Sequence, residues 1–97
     1  MSAPHSIIHK ADSHHGAFRI DLEGNNVATM TYTVAGANLI IIDHTEVGDS
    51  LRGTGAGQAL VEAAVQWARA NGKRIMPLCP FARSVFDRTP GFGDVRR

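Results

Sequence analysis

The sequence is poor in several features, and each shortage excludes a class of protein. Cys79 is its only cysteine, which excludes an internal disulfide framework and a metal site built on several cysteines. The longest strongly apolar run, residues 39–42, is far shorter than the roughly 20 residues that a membrane helix needs. The formal net charge of +1 argues against nucleic-acid binding through a strongly basic face.

A chain of 97 residues, 43% of them hydrophobic, has room for one small domain. Residues 1–15 form a polar, His-rich lead that can be partly disordered, and residues 16–97 are expected to form a single compact domain. The N-terminus lacks the layout of a secretory signal, and together with the single cysteine this predicts a soluble, cytoplasmic protein. A chain this short buries only about 60 to 65% of its unfolded surface, so it could also form a homodimer.

Alternation of apolar and polar residues predicts a β-meander in the first half of the chain. Strands are expected at residues 17–22, 27–34 and 39–47, separated by turn clusters that contain Gly24 and Gly36. The third strand is apolar on both faces over residues 39–42, which is typical of a strand covered on both sides.

The hydrophobic period changes after residue 50. Apolar residues at helical spacing predict an amphipathic helix over residues 53–71, which Gly72 ends. Residues 73–78 are expected to form a short strand in which Pro77 marks an edge, a bulge or a point where strands part. A second helix is expected over residues 81–88. The predicted fold is α/β (α+β): a mainly antiparallel sheet of about four strands, one long helix packed on it and a short C-terminal helix.

A glycine-rich turn, residues 47–57, joins the end of a strand to the start of a helix. Glycines let a backbone approach an anion, and the first N–H groups of a helix favour negative charge, so the segment predicts a phosphate site; a tight structural turn is the alternative. It is not a P-loop, because Gln58 stands where that motif has lysine. It is not a dinucleotide fingerprint either, because no acidic residue follows on the next strand.

Three motifs together resemble the GCN5-related N-acetyltransferases, and in particular a very small subfamily of them. The motifs are His44-Thr45-Glu46-Val47, Arg52-Gly53-x-Gly55-x-Gly57 and Pro77-Leu78-Cys79-Pro80-Phe81. The resemblance implies a transferase that moves an acetyl group from acetyl-CoA, its co-substrate, to an amine, with no metal. The acceptor stays open between a polyamine, an amino acid, an antibiotic, a peptide N-terminus and a protein lysine. The alternative is a non-catalytic CoA-binding or protein-interaction module, because the chain has no room for the acceptor wall of larger members.

The resemblance also implies where CoA would lie. Its pantetheine arm would pair with the strand that ends at Val47, in a gap opened at Pro77, and its pyrophosphate would contact backbone N–H groups of the glycine-rich turn. Arg83 and Arg88 would be contacts for the adenosine-side phosphate, the alternative being solvated surface arginines. The implied cofactor-binding residues are Glu46, Val47, Arg52, Gly53, Thr54, Gly55, Ala56, Gly57, Cys79, Phe81 and Arg83.

Three residues, His44, Glu46 and Cys79, are candidates for catalysis. His44 and Glu46 are two apart on a strand and share a face, so either could accept the proton of an ammonium acceptor. The alternatives are a core histidine and a solvated strand end, and Asp43 is expected to face the other way. Cys79 precedes a proline-started helix and could be a nucleophile with His44 as its base, could line the site, or could be a buried small hydrophobe.

The remaining histidines and the single tryptophan have simpler interpretations. His5 and His9 have i, i+4 spacing, but no cysteine and no helical periodicity accompany them. Together with His14 and His15 they are expected to form a solvated tail rather than a metal site. Trp67 falls on the apolar stripe of the long helix and is expected to be a core residue.

Overall fold

One five-stranded sheet, ordered β1-β2-β3-β4-β5, organises the molecule. The computed structural model describes residues 6–22 and 24–97. The first four strands are antiparallel neighbours and the fifth is parallel to the fourth. The strands are β1 (Ile7–Ala11), β2 (His15–Leu22), β3 (Asn25–Val34), β4 (Leu39–Val47) and β5 (Arg74–Pro77); the helices are α1 (Ala56–Asn71) and α2 (Pro80–Arg88), with short 3₁₀ turns at Asp49–Leu51 and Pro90–Phe92. No helix in these two ranges is long and apolar enough to cross a membrane.

Both helices pack against one face of the sheet. Alternate strand residues point towards them and form the core with the apolar stripe of α1; the most deeply buried include Ile20, Met30, Tyr32, Ile42, Ile75, Leu60, Val61 and Val65. The opposite face, which we call the uncovered face, carries no helix of the described chain. Ile41 is therefore only half-buried, and the expectation that β4 is covered on both sides is wrong.

The predicted α+β architecture is confirmed, with differences at the element ends. The meander and the two helices are present, and α1 ends at Gly72, whose φ is 67°. α1 begins at Ala56 rather than at residue 53, because Gly53 and Gly55 have φ values of 84° and 83° that a right-handed helix cannot use.

The N-terminal segment adds a strand that the sequence did not predict. β1 pairs with β2, so the interpretation of residues 1–15 as a polar, partly disordered lead is wrong from Ile7 onward. Residues 1–5, including His5, lie outside the described residues. A polar-looking strand can pack here because neutral histidine behaves as an aromatic ring.

An aromatic cluster holds β1 in place. The His9 ring stacks on Phe18 with 4.1 Å between centroids and meets the Trp67 ring edge-on at 5.1 Å. Its Nε2 lies 2.6 Å from the hydroxyl of buried Tyr32. The expectation of a solvated histidine tail is therefore wrong for His9, and Trp67 is partly buried against the core as expected.

A β-bulge in β4 changes which side chains share a face. Residues 31 and 32 of β3 lie opposite His44 and Ile42, which leaves Asp43 as the extra residue. Asp43 accepts a hydrogen bond of 2.7 Å from the hydroxyl of Thr33, on the uncovered face. Asp43 thus shares that face with His44. The expectation that Asp43 faces the other way is wrong, because it assumed unbroken alternation.

The C-terminal residues lie along the edge of the sheet that β5 forms. The N–H of Ile75 donates to the carbonyl of Val95, and the N–H of Arg97 donates to the carbonyl of Ile75. A bidentate pair between Arg69 and Asp94, with both contacts at 2.9 Å, ties this segment to α1. The outer edge of β5 is therefore occupied at Ile75.

We expect the stability of this fold to depend on the protonation of His9. Burial lowers the pKa of His9 below its ordinary value of 6.5, so the unfolded chain binds this proton more readily than the folded one. The free energy of unfolding should therefore fall as the pH drops below about 6.5 towards the folded-state pKa. Urea unfolding between about pH 7.5 and 5 measures this loss. His9→Phe should remove it, whereas exposed His14→Asn should keep it; the same loss in His9→Phe would assign the acid sensitivity to another group.

Candidate active site

β4 and β5 part at Ile42. They pair from Leu39, opposite Arg74, to Ile42, opposite Pro77. The N–H groups of Leu78 and Cys79 then both donate to the Ile42 carbonyl, at 3.1 and 3.2 Å. Pro77 has no N–H with which to continue the ladder. β4 runs on over residues 43–47 with no described strand on this side, which leaves a gap between the strands.

The free edge of β4 presents backbone groups to this gap. The N–H of Gly48 donates to the Val27 carbonyl of β3 at 2.7 Å. Because backbone groups alternate in direction along an antiparallel strand, those of Val47 and Thr45 point away from β3. An extended chain lying in the gap could pair with them as an added strand would.

A shallow cavity of about 240 Å³ opens where the chain turns from β4 into α1. Gly55 is the N-cap of α1 and has no side chain, so the cap residue offers no side-chain acceptor to the N–H groups of the first turn. The first N–H groups of a helix lack internal acceptors and favour an anion. The cavity is lined by Val47, Leu51, Arg52, Gly53, Gly55, Ala56, Gly57, Gln58, Phe81 and Arg88.

Two of the N–H groups implied as phosphate contacts are already used within the protein. The N–H of Arg52 donates to Asp49 at 3.2 Å, and that of Thr54 donates to Leu51 at 3.1 Å. The backbone of this turn therefore offers fewer donors than its glycine-rich sequence implies, and those at the start of α1 matter most.

The arginines near this cavity differ in position. Arg52 and Arg88 line it, whereas Arg83 is exposed on another side of α2 and lines neither this cavity nor the larger one described below. Arg52 pairs with Asp49 at 3.2 Å, an exposed contact of a kind that contributes little to stability, so an anion could compete for it. Arg88 donates to the Ser84 hydroxyl at 2.9 Å. Of the two arginines considered for the adenosine-side phosphate, Arg88 is the one at the cavity.

Gly57 allows the two helices to approach each other. A Cβ at this position would lie 2.6 Å from Cζ of the Phe81 ring, too close without movement. Phe81, 39% exposed, lines the small cavity from the α2 side. Glycine is therefore needed at residue 57 to leave room for the Phe81 ring, whereas glycine is needed at residue 55 because the backbone there has a positive φ.

His44 and Glu46 lie side by side on the uncovered face, as their spacing predicts. The Nε2 of His44 is 3.6 Å from an Oε of Glu46, and the two side chains are 66% and 78% exposed, so His44 is not a core residue. Glu46 borders a larger cavity of about 570 Å³ that shares Val47 and Arg52 with the small one. That cavity is lined by Asn26, Val27, Ala28, Thr29, Thr45, Glu46, Val47, Gly48 and Arg52.

Cys79 lies on the other side of β4 from His44. Its side chain is buried, and its Sγ lies 3.3 Å from the Thr45 hydroxyl and accepts the Ala82 N–H at 3.3 Å as the N-cap of α2. Thr45 follows His44 directly, so their side chains point to opposite faces. The structure therefore does not bring His44 and Cys79 together as a base and a nucleophile.

Sequence reasoning missed Thr45, although it stands between the two candidate bases in the sequence. Its place between His44 and Glu46 puts it on the face opposite theirs, which is the signal that could have found it. Among the described residues, no three His, Cys, Asp or Glu side chains gather as a metal site would need.

Comparison with known proteins assigns a family to this arrangement. Residues 17–95 match the model of the GCN5-related N-acetyl-transferases, and the chain belongs to that family. Its sequence matches none of the curated proteins.

Solved structures share the fold at several levels of identity. A GCN5-like protein from Staphylococcus aureus, proposed to be an N-acetyltransferase, is 36% identical with a TM-score of 0.72 over 100% of this chain and 91% of that one. The ribosomal-protein-alanine N-acetyltransferase of Brucella melitensis biovar Abortus 2308 is 22% identical with a TM-score of 0.62, over 79% and 62% of the two chains. A predicted acetyltransferase from Clostridium acetobutylicum, solved with acetyl-CoA, is 13% identical with a TM-score of 0.61, over 76% and 55%.

We expect the Gly57 contact to show in unfolding experiments. Gly57→Ala should destabilise the protein by about 1 kcal/mol, because the added methyl group meets the Phe81 ring. In a Phe81→Ala background the same change should be neutral or stabilising, since alanine favours a helix over glycine by about 1 kcal/mol. Gly55→Ala is the matched control and should cost about 1–2 kcal/mol in both backgrounds. A Gly57→Ala cost that survives the loss of Phe81 would contradict this packing role.

Proposed function

We propose that the protein transfers an acetyl group from acetyl-CoA to an amine. The observation that carries the proposal is the continuity between two features: the start of α1, whose glycine N-cap offers no side-chain acceptor and which suits a phosphate, and the free edge of β4, which suits an extended arm. Val47 borders both. The acetyl-CoA in the Clostridium acetobutylicum structure supports the choice of co-substrate.

The phosphate end of CoA would occupy the small cavity. Its pyrophosphate would accept hydrogen bonds from the first N–H groups of α1, with Arg52 released from Asp49 to add charge. Arg88, rather than Arg83, would be the cation nearest the adenosine-side phosphate. Glycines at 53 and 55 leave that approach open, since nothing lies within 4 Å of a Cβ built at either one.

The thioester would lie beside β4, and its chemistry sets the requirements on the residues there. The N–H groups of Thr45 and Val47 point into the gap and would polarise the thioester carbonyl. An amine is an ammonium ion at neutral pH, so it must lose a proton before its nitrogen can attack. His44 or Glu46 would accept that proton, directly or through water, before the C–N bond forms. The C–S bond then breaks, and CoA leaves as a thiolate that takes up the second proton, which the nitrogen loses as the amide forms.

The uncovered face would be the side from which the acceptor arrives. His44 and Glu46 point there, and no helix of the described chain covers it. Proteins of this fold include a ribosomal-protein-alanine N-acetyltransferase and an aminoglycoside acetyltransferase solved with sisomicin, which supports an amine acceptor without fixing its size. Cytoplasmic location and homodimer formation stay predictions.

A charge at the start of α1 should test the phosphate site. Gln58 lines the small cavity, and Gln58→Glu should weaken CoA binding about tenfold or more by repelling the phosphates. The free protein should not be destabilised, because a carboxylate near a helix N-terminus is favourable. This makes Gln58 a better target than Gly55, where any side chain is strained at a φ of 83°.

Gln66→Glu, on the exposed side of the same helix, is the matched control and should bind CoA like the wild type. Isothermal titration with CoA measures both variants. Wild-type affinity in Gln58→Glu would mean that the phosphates bind elsewhere.

Neutral substitutes should identify the proton acceptor. If Glu46 is the base, Glu46→Gln should lower kcat by about a hundredfold at neutral pH; if His44 is the base, His44→Gln should do so. The loss should shrink at higher pH, because more of the acceptor is then a free amine. Asp43→Asn is the control, since its carboxylate shares the face but is held by Thr33. CoA thiol release with an amine acceptor measures the rates; equal kcat in all three variants would contradict a base at this position.

A further inference from the structure

We propose that Thr45 and Cys79 are positioning residues for the transfer, and that Cys79 is not its nucleophile. Their contact holds the start of α2 against β4 across the gap, and so fixes the width of the gap where the thioester would lie. The proposal rests on the proposed function, because the gap matters for catalysis only if acetyl-CoA occupies it.

Cys79 forms hydrogen bonds with backbone groups on both sides of the gap. Its N–H donates to the Ile42 carbonyl of β4 at 3.2 Å. Its Sγ accepts the Ala82 N–H at 3.3 Å and so caps the first turn of α2. Only 5% of the residue is exposed. The sulfur therefore has a structural task at a point where strand and helix meet.

Thr45 extends this connection beyond the last paired residue of β4. Strand pairing with β5 ends at Ile42, yet the Thr45 hydroxyl reaches the Cys79 sulfur at 3.3 Å. Either atom can be the donor in this contact, because both groups carry a proton. The contact thus ties the unpaired part of β4 to α2, and a shift of either one would change the position of the thioester relative to His44 and Glu46.

A nucleophilic Cys79 would need a base and an open approach, and the described residues offer neither. His44 points to the uncovered face, on the opposite side of β4 from the sulfur. Asp43 is also on that face, held by Thr33. The groups that hydrogen-bond to the sulfur are the Thr45 hydroxyl and the Ala82 N–H, and neither is a base that could take its proton.

Substitution by serine separates the two roles. A serine hydroxyl can cap a helix and bond to Thr45, but at neutral pH it is a poor nucleophile. Cys79→Ser should therefore keep kcat/KM within about threefold of the wild type, whereas a nucleophile would lose about a hundredfold or more. Cys79→Ala removes the cap and should lower the Tm by about 4–8 °C. It should also lower kcat/KM for acetyl-CoA by about tenfold or more through misplacement of the thioester.

Thr45 supplies a matched pair that leaves the helix cap intact. Thr45→Val keeps the shape of the side chain and removes the hydroxyl, so it should lower kcat/KM about as Cys79→Ala does, with little change in Tm. Thr45→Ser should restore the activity. In the Cys79→Ala background, Thr45→Val should have little further effect, because the contact is already gone.

Two results would overturn the proposal while the wild type stays active. One is an inactive but folded Cys79→Ser variant, together with a wild-type protein that gains an acetyl group after incubation with acetyl-CoA alone, when intact mass shows that the variant does not gain it. The other is wild-type kcat/KM in Thr45→Val. A wild-type protein that neither binds CoA nor releases thiol with amines would instead overturn the proposed function, and this proposal with it.

Discussion

The structure depends on one shared acceptor, the carbonyl oxygen of Ile42. It receives the N–H groups of both Leu78 and Cys79, and there parallel pairing with β5 ends. Pro77 cannot extend the ladder, and the bulge at Asp43 turns the remainder of β4. Three features follow from this point: the gap, the start of α2 and the division of β4 side chains between two faces.

Much of the fold could be predicted because local signals agree with the tertiary structure. Alternation gave the meander, Gly72 ended α1, and Pro77 marked the parting of strands. β1 escaped prediction because its stability comes from partners far along the chain. A neutral His9 packs there against rings contributed by β2, β3 and α1. No local pattern distinguishes such a histidine from a solvated one.

The motifs of the candidate site could be predicted from the sequence, but the directions in which its side chains and N–H groups point could not. A bulge is set by the register between two strands, so the face taken by Asp43 cannot be known from β4 alone. The choice between Arg83 and Arg88 depends on which side of α2 faces the cavity, and that is set by how α2 packs, including its close approach to Gly57 through Phe81. Whether an N–H of the glycine-rich turn is free depends on the turn type, and the residue types leave that open.

The bulge also affects how this strand can vary during evolution. The side chains of three consecutive residues, His44, Thr45 and Glu46, point to alternating faces, and Asp43 is the extra residue of the bulge. A different side chain at any one of them changes a single contact. One residue inserted or deleted between the bulge and Val47 would exchange the faces of the residues on one side of the change. A change of length here should therefore alter several side chains of the site at once, whereas a change of residue type alters one.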